Sequence, residues 1–171
     1  MPTARRTPAR TTRTTGATRA RRPRPADMAA PEGAVEVFTD GACAGNPGPG
    51  GWAWARDEQA YASGGERAST NQRMEIRAAL EAVRANPGPL VVVSDSTYVV
   101  NCFRDRWWQG WLERGWTNSA RKPVANRDLW EPFVELYVER GDVAFRWVKG
   151  HSGHAMNDFV DRLAVAASKA V

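Results

Sequence analysis

Four carboxylates stand out because of what surrounds them. Asp40 closes the alternating, β-branched run "AVEVFTD", and Asp95 closes the continuous apolar run "PLVVVSD". Glu75 lies in "STNQRMEIRAAL" on the helical line of Ala79 and Ala82 rather than beside Lys or Arg. Asp161 lies in "NDFVDRLAVAA" on the line of Asn157, Ala164 and Val165. Acids in such places face inward or sit at a buried margin, which carboxylates avoid unless their charge is compensated. Taken singly each has a plain reading: a turn or cap residue for Asp40 and Asp95, a helix-end charge for Glu75, a surface residue for Asp161. Four converging carboxylates repel one another, so they either retain protons at unusually high pH or hold cations. Oxygen-only ligand sets suit hard ions, and Mg²⁺ takes a few carboxylates and leaves its remaining positions to water and phosphate.

The glycine-rich stretch after Asp40, "GACAGNPGPGG", invites comparison with a phosphate cradle. It has no Gly-Lys-Ser/Thr ending and precedes another strand rather than a helix, so neither the P-loop nor the dinucleotide fingerprint is satisfied. It reads as a turn whose glycines let a backbone approach a ligand closely, with Cys43 and Asn46 beside the acid. His151 and His154 in "KGHSGH", with Asp158 nearby, offer a zinc chelate. No third nitrogen or sulfur completes a tetrahedral set, and the spacing is not the helical His-Glu-x-x-His, so zinc is disfavoured. His154 is expected to fix its loop by hydrogen bonds.

The elements that must position these groups follow from periodicity. "AVEVFTD", "GGWAWARDE" and "AYASGGE" predict three strands joined by short turns, an antiparallel start. "STNQRMEIRAALEAVRANPG" predicts a helix with a capping-type opening, a stripe at Ile76, Leu80 and Val83, and a stop at Pro87 and Gly88. "PLVVVSDS" predicts a strand covered on both faces. A short helix from Ser96 to Phe103, the Trp-rich "RWWQGWLERGW" and a helix from Asn126 to Glu139 follow. Pro132 is expected to kink that helix or delay its start. "DVAFRWVKG" predicts a fifth strand and "NDFVDRLAVAASKA" a terminal helix. The order βββαβααβα gives an α/β fold, a mixed five-stranded sheet flanked by helices.

Composition bounds the rest. The 171 residues, 42% hydrophobic with eight Trp, suffice for one domain and an appendage. No stretch reaches the ~18 apolar residues of a membrane span and no secretory leader is seen, so a cytoplasmic protein with no membrane partner is expected. Cys43 and Cys102 form no CxxC pair, which fits a reducing compartment. The net charge of +5 is unevenly spread: residues 1–33 carry eight Arg against Asp27 and Glu32, or +6, and residues 34–171 carry −1. Segment 1–33, rich in Arg, Thr, Ala and Pro, has no hydrophobic periodicity and is expected to be a disordered tail. It reads first as a low-complexity extension with Met28 as the effective start, and second as a phosphate-binding arm; an organelle transit peptide comes last.

Four separated blocks, "TDGACAGNPGPGG", "TNQRMEIRAAL", "SDSTYVVN" and "WVKGHSGHAMNDFVDRLA", resemble in order and spacing the signatures of type-1 ribonuclease H, over about residues 34–169. The resemblance implies a ribonuclease H-like catalytic domain at 34–171, an endonuclease cutting the RNA strand of RNA–DNA hybrids, monomeric and without a small-molecule cofactor. It implies that Asp40, Glu75, Asp95 and Asp161 bind metal, Mg²⁺ with Mn²⁺ as the alternative. Two such ions, about 3.5–4 Å apart, can activate water on one side of a phosphodiester and stabilise the leaving oxygen on the other, giving 5′-phosphate and 3′-hydroxyl products. By the same resemblance His151 assists proton transfer or product release. Cys43, Asn46, Asn71 and Gln72 touch the substrate's minor groove, and Thr70 and Arg73 flank them near a phosphate. The Trp-rich stretch handles the DNA strand, with Trp107 and Trp111 stacking or packing. At least two of Trp107, Trp108, Trp111 and Trp116 are expected in the core.

The sequence departs from the family pattern at Leu112 and Glu113, where bacterial members often carry lysines, at Thr97, and at Gln72 in place of Asn. Two other functions compete with the ribonuclease: a hybrid-binding module without catalysis, and an integrase- or transposase-like nuclease. Binding alone gives no reason to keep four repelling acids. The Gly-rich turn, "KGHSGH" and the lack of a DNA-targeting domain disfavour the third.

Overall fold

The structure is a computed structural model that describes residues 27–150 and 153–171. Strands β1 (Val35–Cys43), β2 (Gly48–Ala55) and β3 (Tyr61–Ser69) form an antiparallel meander. Helix α1 (Asn71–Ala85) then leads to β4 (Leu90–Ser94). Helices α2 (Thr97–Arg104), α3 (Trp107–Glu113) and α4 (Arg127–Arg140) precede β5 (Val143–Trp147), and α5 (Ala155–Lys169) ends the fold. The sheet order is β3-β2-β1-β4-β5, with β1–β4 and β4–β5 parallel. The mixed five-stranded sheet is the one expected from sequence. The element order gains one helix, because the Trp-rich stretch folds into α3 rather than remaining a connection.

Period-2 alternation divides the core between the two sheet faces. Val37, Val92 and Phe145 pack with α1, α2, α3 and α4. Phe38, Val91, Val93 and Ala144 point the other way, onto Val160 and Ala164 of α5. Strand β4 is buried along its whole length, as its unbroken apolar run predicts. In α1 the stripe Ile76, Leu80 and Val83 is buried, and Thr70 caps the helix by accepting a hydrogen bond from the Arg73 amide at 3.1 Å. Trp111 and Trp116 are buried, and Trp107 and Trp108 are partly buried against the same cluster, as expected. Pro132 lies inside α4, yet the helix starts at Arg127, so its start is not delayed.

Glycines decide how closely the helices approach the sheet. A Cβ on Gly41 would stand 2.5 Å from the backbone nitrogen of Glu75; one on Gly51 would overlap the Ala164 carbonyl oxygen and lie 2.6 Å from the Ser168 nitrogen. Gly41 therefore seats α1 on β1, and Gly51 seats α5 on β2. The glycine run is thus part turn and part strand: residues 44–47 connect β1 to β2, Gly48, Gly50 and Gly51 belong to β2, and the close approaches of Gly41 and Gly51 are to helices.

Residues 1–26 of the expected tail lie outside the described residues, but Asp27 and Met28 lie against the domain. Met28 packs on both core clusters and Asp27 pairs with Arg104 at 3.4 Å. The packed chain thus begins before residue 34.

Gly51→Ala is expected to force α5 off β2 at a cost of about 1–3 kcal/mol, lowering the melting temperature by about 3–10 °C in calorimetry. An unchanged melting temperature would show that α5 does not rest on this contact.

Candidate active site

The parallel pairing of β1 with β4 ends at Phe38 and Val93. Beyond that point β1 continues, paired only with β2, so Asp40 lies within its strand rather than at its end. Asp95 follows the last residue of β4. The Thr39 hydroxyl donates to the Val93 carbonyl at 3.3 Å, tying the two strand ends together just before the acids. Glu75 comes from the second turn of α1, whose backbone lies against Gly41. One oxygen each of Asp40, Glu75 and Asp95 can be chosen so that all three lie within 4.8 Å of one another. Asp161, from α5, lines the same hollow as Asp40 and Asp95. All four acids open onto one cleft of about 450 Å³, whose wall carries Asn71 and Gln72.

The electrostatics of this cluster are unfavourable without a counter-charge. Burial, then the neighbouring charge of Asp95, pushes the Asp40 carboxyl from 3.8 up to about 7, with smaller contributions from Asp161. Burial, followed by the charges of Asp40 and Asp95, raises Glu75 well above its ordinary value. The Gly41 amide donates to Asp40 Oδ1 at 2.9 Å. Glu75 Oε2 is buried with no hydrogen-bond partner among the described residues. A hard divalent cation fits this donor set: oxygens only, close together, negatively charged, and with one buried lone-pair donor unsatisfied.

The flanking residues fall into two groups. Asn71 and Gln72 are exposed at the start of α1. Asn46 Oδ1 accepts from the Asn71 backbone amide at 3.2 Å. The Cys43 thiol donates to the carbonyls of Gly48 and Ser69 at 3.3 and 3.5 Å, which pins the β1–β2 connection to the end of β3. Arg73 is engaged within the protein. It donates from Nε to Glu66 at 2.8 Å and through both terminal nitrogens to Asp128 at 2.9 and 2.7 Å, linking β3, α1 and α4. Trp111 is 6% exposed and packs against Trp116 and Trp130, so of the two tryptophans singled out only Trp107 is partly open. Trp107 and Trp111 border a cleft of about 570 Å³ that also carries Arg106, Arg114 and Lys122. His151 lies outside the described residues. His154 stacks on Phe38, with ring centroids 5.1 Å apart, and among the described residues its ring makes none of the hydrogen bonds expected.

Two contributors are not evident from sequence reading. Asn157 lines the acidic hollow and its Nδ2 is buried without a partner among the described residues. Its place one turn before Asp161 is the available signal. A Cβ on Gly150 would stand 2.7 Å from Asp95 Oδ2, so this backbone rests on the carboxylate.

Known proteins share this arrangement of sequence and fold. A family model described as RNase H matches residues 32–169. A ribonuclease H of Erythrobacter litoralis is 49% identical over 140 residues, covering 78% of this chain and 95% of that one. A ribonuclease H of Thermus thermophilus is 48% identical over 139 residues, covering 78% and 83%. Among solved structures, LC9-RNase H1, a type 1 RNase H with the type 2 active-site motif, aligns with a TM-score of 0.67 at 34% identity, over 85% of this chain and 75% of that one. A foamy viral protease-reverse transcriptase in complex with RNA/DNA hybrid aligns with a TM-score of 0.71 at 21% identity, over 96% of this chain and 23% of that one, a likeness of fold alone.

A carboxyl whose pKa is raised on folding supports the fold while it stays protonated, and that support is lost as pH rises through the folded value. Without divalent cations, stability is therefore expected to fall between about pH 4 and pH 7 as Asp40 ionises. Asp40→Asn removes the repulsion and is expected to stabilise the metal-free protein at pH 8, by on the order of 1–3 kcal/mol. Calorimetry in EDTA checks this; an Asp40→Asn variant that melts no higher than the parent would refute it.

Proposed function

Because the chain belongs to the type-1 ribonuclease H family, we propose that it hydrolyses the RNA strand of RNA–DNA hybrids with two divalent cations, Mg²⁺ or alternatively Mn²⁺, held by Asp40, Glu75, Asp95 and Asp161. The observation that carries this reading is the convergence of Asp40, Glu75 and Asp95 oxygens to within 4.8 Å at an open cleft. When bound, the cations supply a water of lowered pKa and neutralise charge on the phosphodiester.

The chain's own residues set geometry and selectivity. The Gly41 amide fixes the Asp40 carboxylate, and the Gly150 backbone limits the Asp95 carboxylate from the other side. Asn71 and Gln72 stand beside the cleft, short and polar enough to read a 2′-hydroxyl in a shallow minor groove. That hydroxyl serves recognition; water attacks, so the products carry a 5′-phosphate and a 3′-hydroxyl. Asn46, Thr70 and Cys43 keep this edge in place, and Arg73 braces it through Glu66 and Asp128 rather than meeting a phosphate. Trp107, with Arg106, Arg114 and Lys122, offers an aromatic and cationic surface for the DNA strand. His151, by its place in the motif, assists proton transfer or product release.

A labelled RNA strand annealed to DNA and incubated with Mg²⁺ tests the reading. Cutting of the RNA strand is expected, and its loss in EDTA and with Asp40→Asn or Asp95→Asn. Hybrid binding without any cutting would favour the binding module; cutting of duplex DNA would favour the integrase-like nuclease.

A further inference from the structure

Helices α3 and α4 leave a second hollow, of about 530 Å³, on a surface lined by none of the residues of the acidic cleft. Its floor is apolar: Leu112 and Val138 are 50% and 54% exposed, and Trp116 and Val134 lie beneath them. Its rim is acidic. Glu131, Glu135 and Glu139 recur every four residues along α4 and so stand in one row. Glu131 pairs with Arg127 at 2.8 Å; among the described residues Glu135 and Glu139 pair with no cation.

The same chain contains a segment of opposite chemistry. Residues 1–26 hold eight Arg and no Lys, Asp or Glu. That segment joins the domain beside this groove. Asp27 is paired with Arg104, and Met28 sits in the adjoining hollow with Trp108, Gln109 and Tyr137. Leu112 is one helical turn along α3 from Trp108, and Val138 follows Tyr137 on α4. The segment, reaching up to about 3.3–3.6 Å per residue, is long enough to lie along the groove many times over. Arg suits both parts of the site: its methylene stem covers apolar surface while its guanidinium meets a carboxylate in a bidentate fork.

We infer that the Arg-rich segment 1–26 docks on the α3–α4 groove of its own chain, its guanidiniums along the Glu131–Glu135–Glu139 row. Docking places up to eight positive charges on an acidic face of the domain and covers Leu112 and Val138, which are otherwise open apolar surface. It depends on ion pairs near solvent and so weakens with salt.

The test uses the full chain with a photoreactive benzoylphenylalanine in place of Thr18, irradiated in about 50 mM salt and digested with trypsin. Adducts within one chain are expected on peptides 107–114 and 128–140. They are expected to fall about tenfold in 1 M salt and in the double variant Glu135→Lys, Glu139→Lys, and to persist in Glu135→Asp, Glu139→Asp. The salt arm stands even if the double variant melts early. Adducts concentrated on the Asp40 or Glu75 peptides, adducts joining two chains, or adducts insensitive to salt would each overturn the inference.

Discussion

Three carboxyl groups with oxygens within 4.8 Å of one another cannot all stay charged in a shielded setting without protons or cations to oppose them. The fold gathers them nonetheless. Asp40 and Asp95 are placed by the ends of a parallel strand pair, where open α/β sheets present side chains beyond their carboxyl edge. Glu75 and Asp161 are brought in by α1 and α5 from opposite sheet faces. The cluster therefore exists only because both helices lie close to the sheet, and that closeness rests on Gly41 and Gly51.

The surroundings divide the labour. Polar residues near the acids mostly hold backbone in place: Thr39 across the strands, Cys43 and Asn46 at the β1–β2 connection, Thr70 at the helix start. Arg73 pairs with Glu66 and Asp128, so its removal would loosen the join between β3, α1 and α4. Asn71 and Gln72, by contrast, are exposed on the wall of the cleft that the acids share. The aromatic core under α2, α3 and α4, where Phe103 stacks on Phe145 with centroids 4.1 Å apart, carries the Trp107 surface without taking part in it.

Sequence reading reaches some of this and misses the rest for identifiable reasons. Local periodicity reveals the buried β4, the amphipathic α1 and the inward line of Glu75 with Ala79 and Ala82, because each depends on residues a few positions apart. The purpose of Gly41 is hidden, since its neighbour Glu75 is distant in sequence and a missing Cβ matters only when the other backbone arrives. The Arg73–Asp128 pair spans 55 residues and leaves no local trace. Helix α3 is hard to see because Gly110 and a cluster of tryptophans obscure a seven-residue pattern. Met28 reads as part of the tail because the core clusters on which it packs are built from residues far along the chain.

Proton release on metal addition tests the central claim most directly. In a weakly buffered solution at pH 7, adding Mg²⁺ to the metal-free protein is expected to release protons from Asp40 and Glu75, since cations bind the ionised carboxylates. The release should be greatly reduced in Asp40→Asn. Binding of Mg²⁺ without proton release, or an equal release from the Asp40→Asn variant, would contradict the claim that clustered carboxylates hold protons until a cation replaces them.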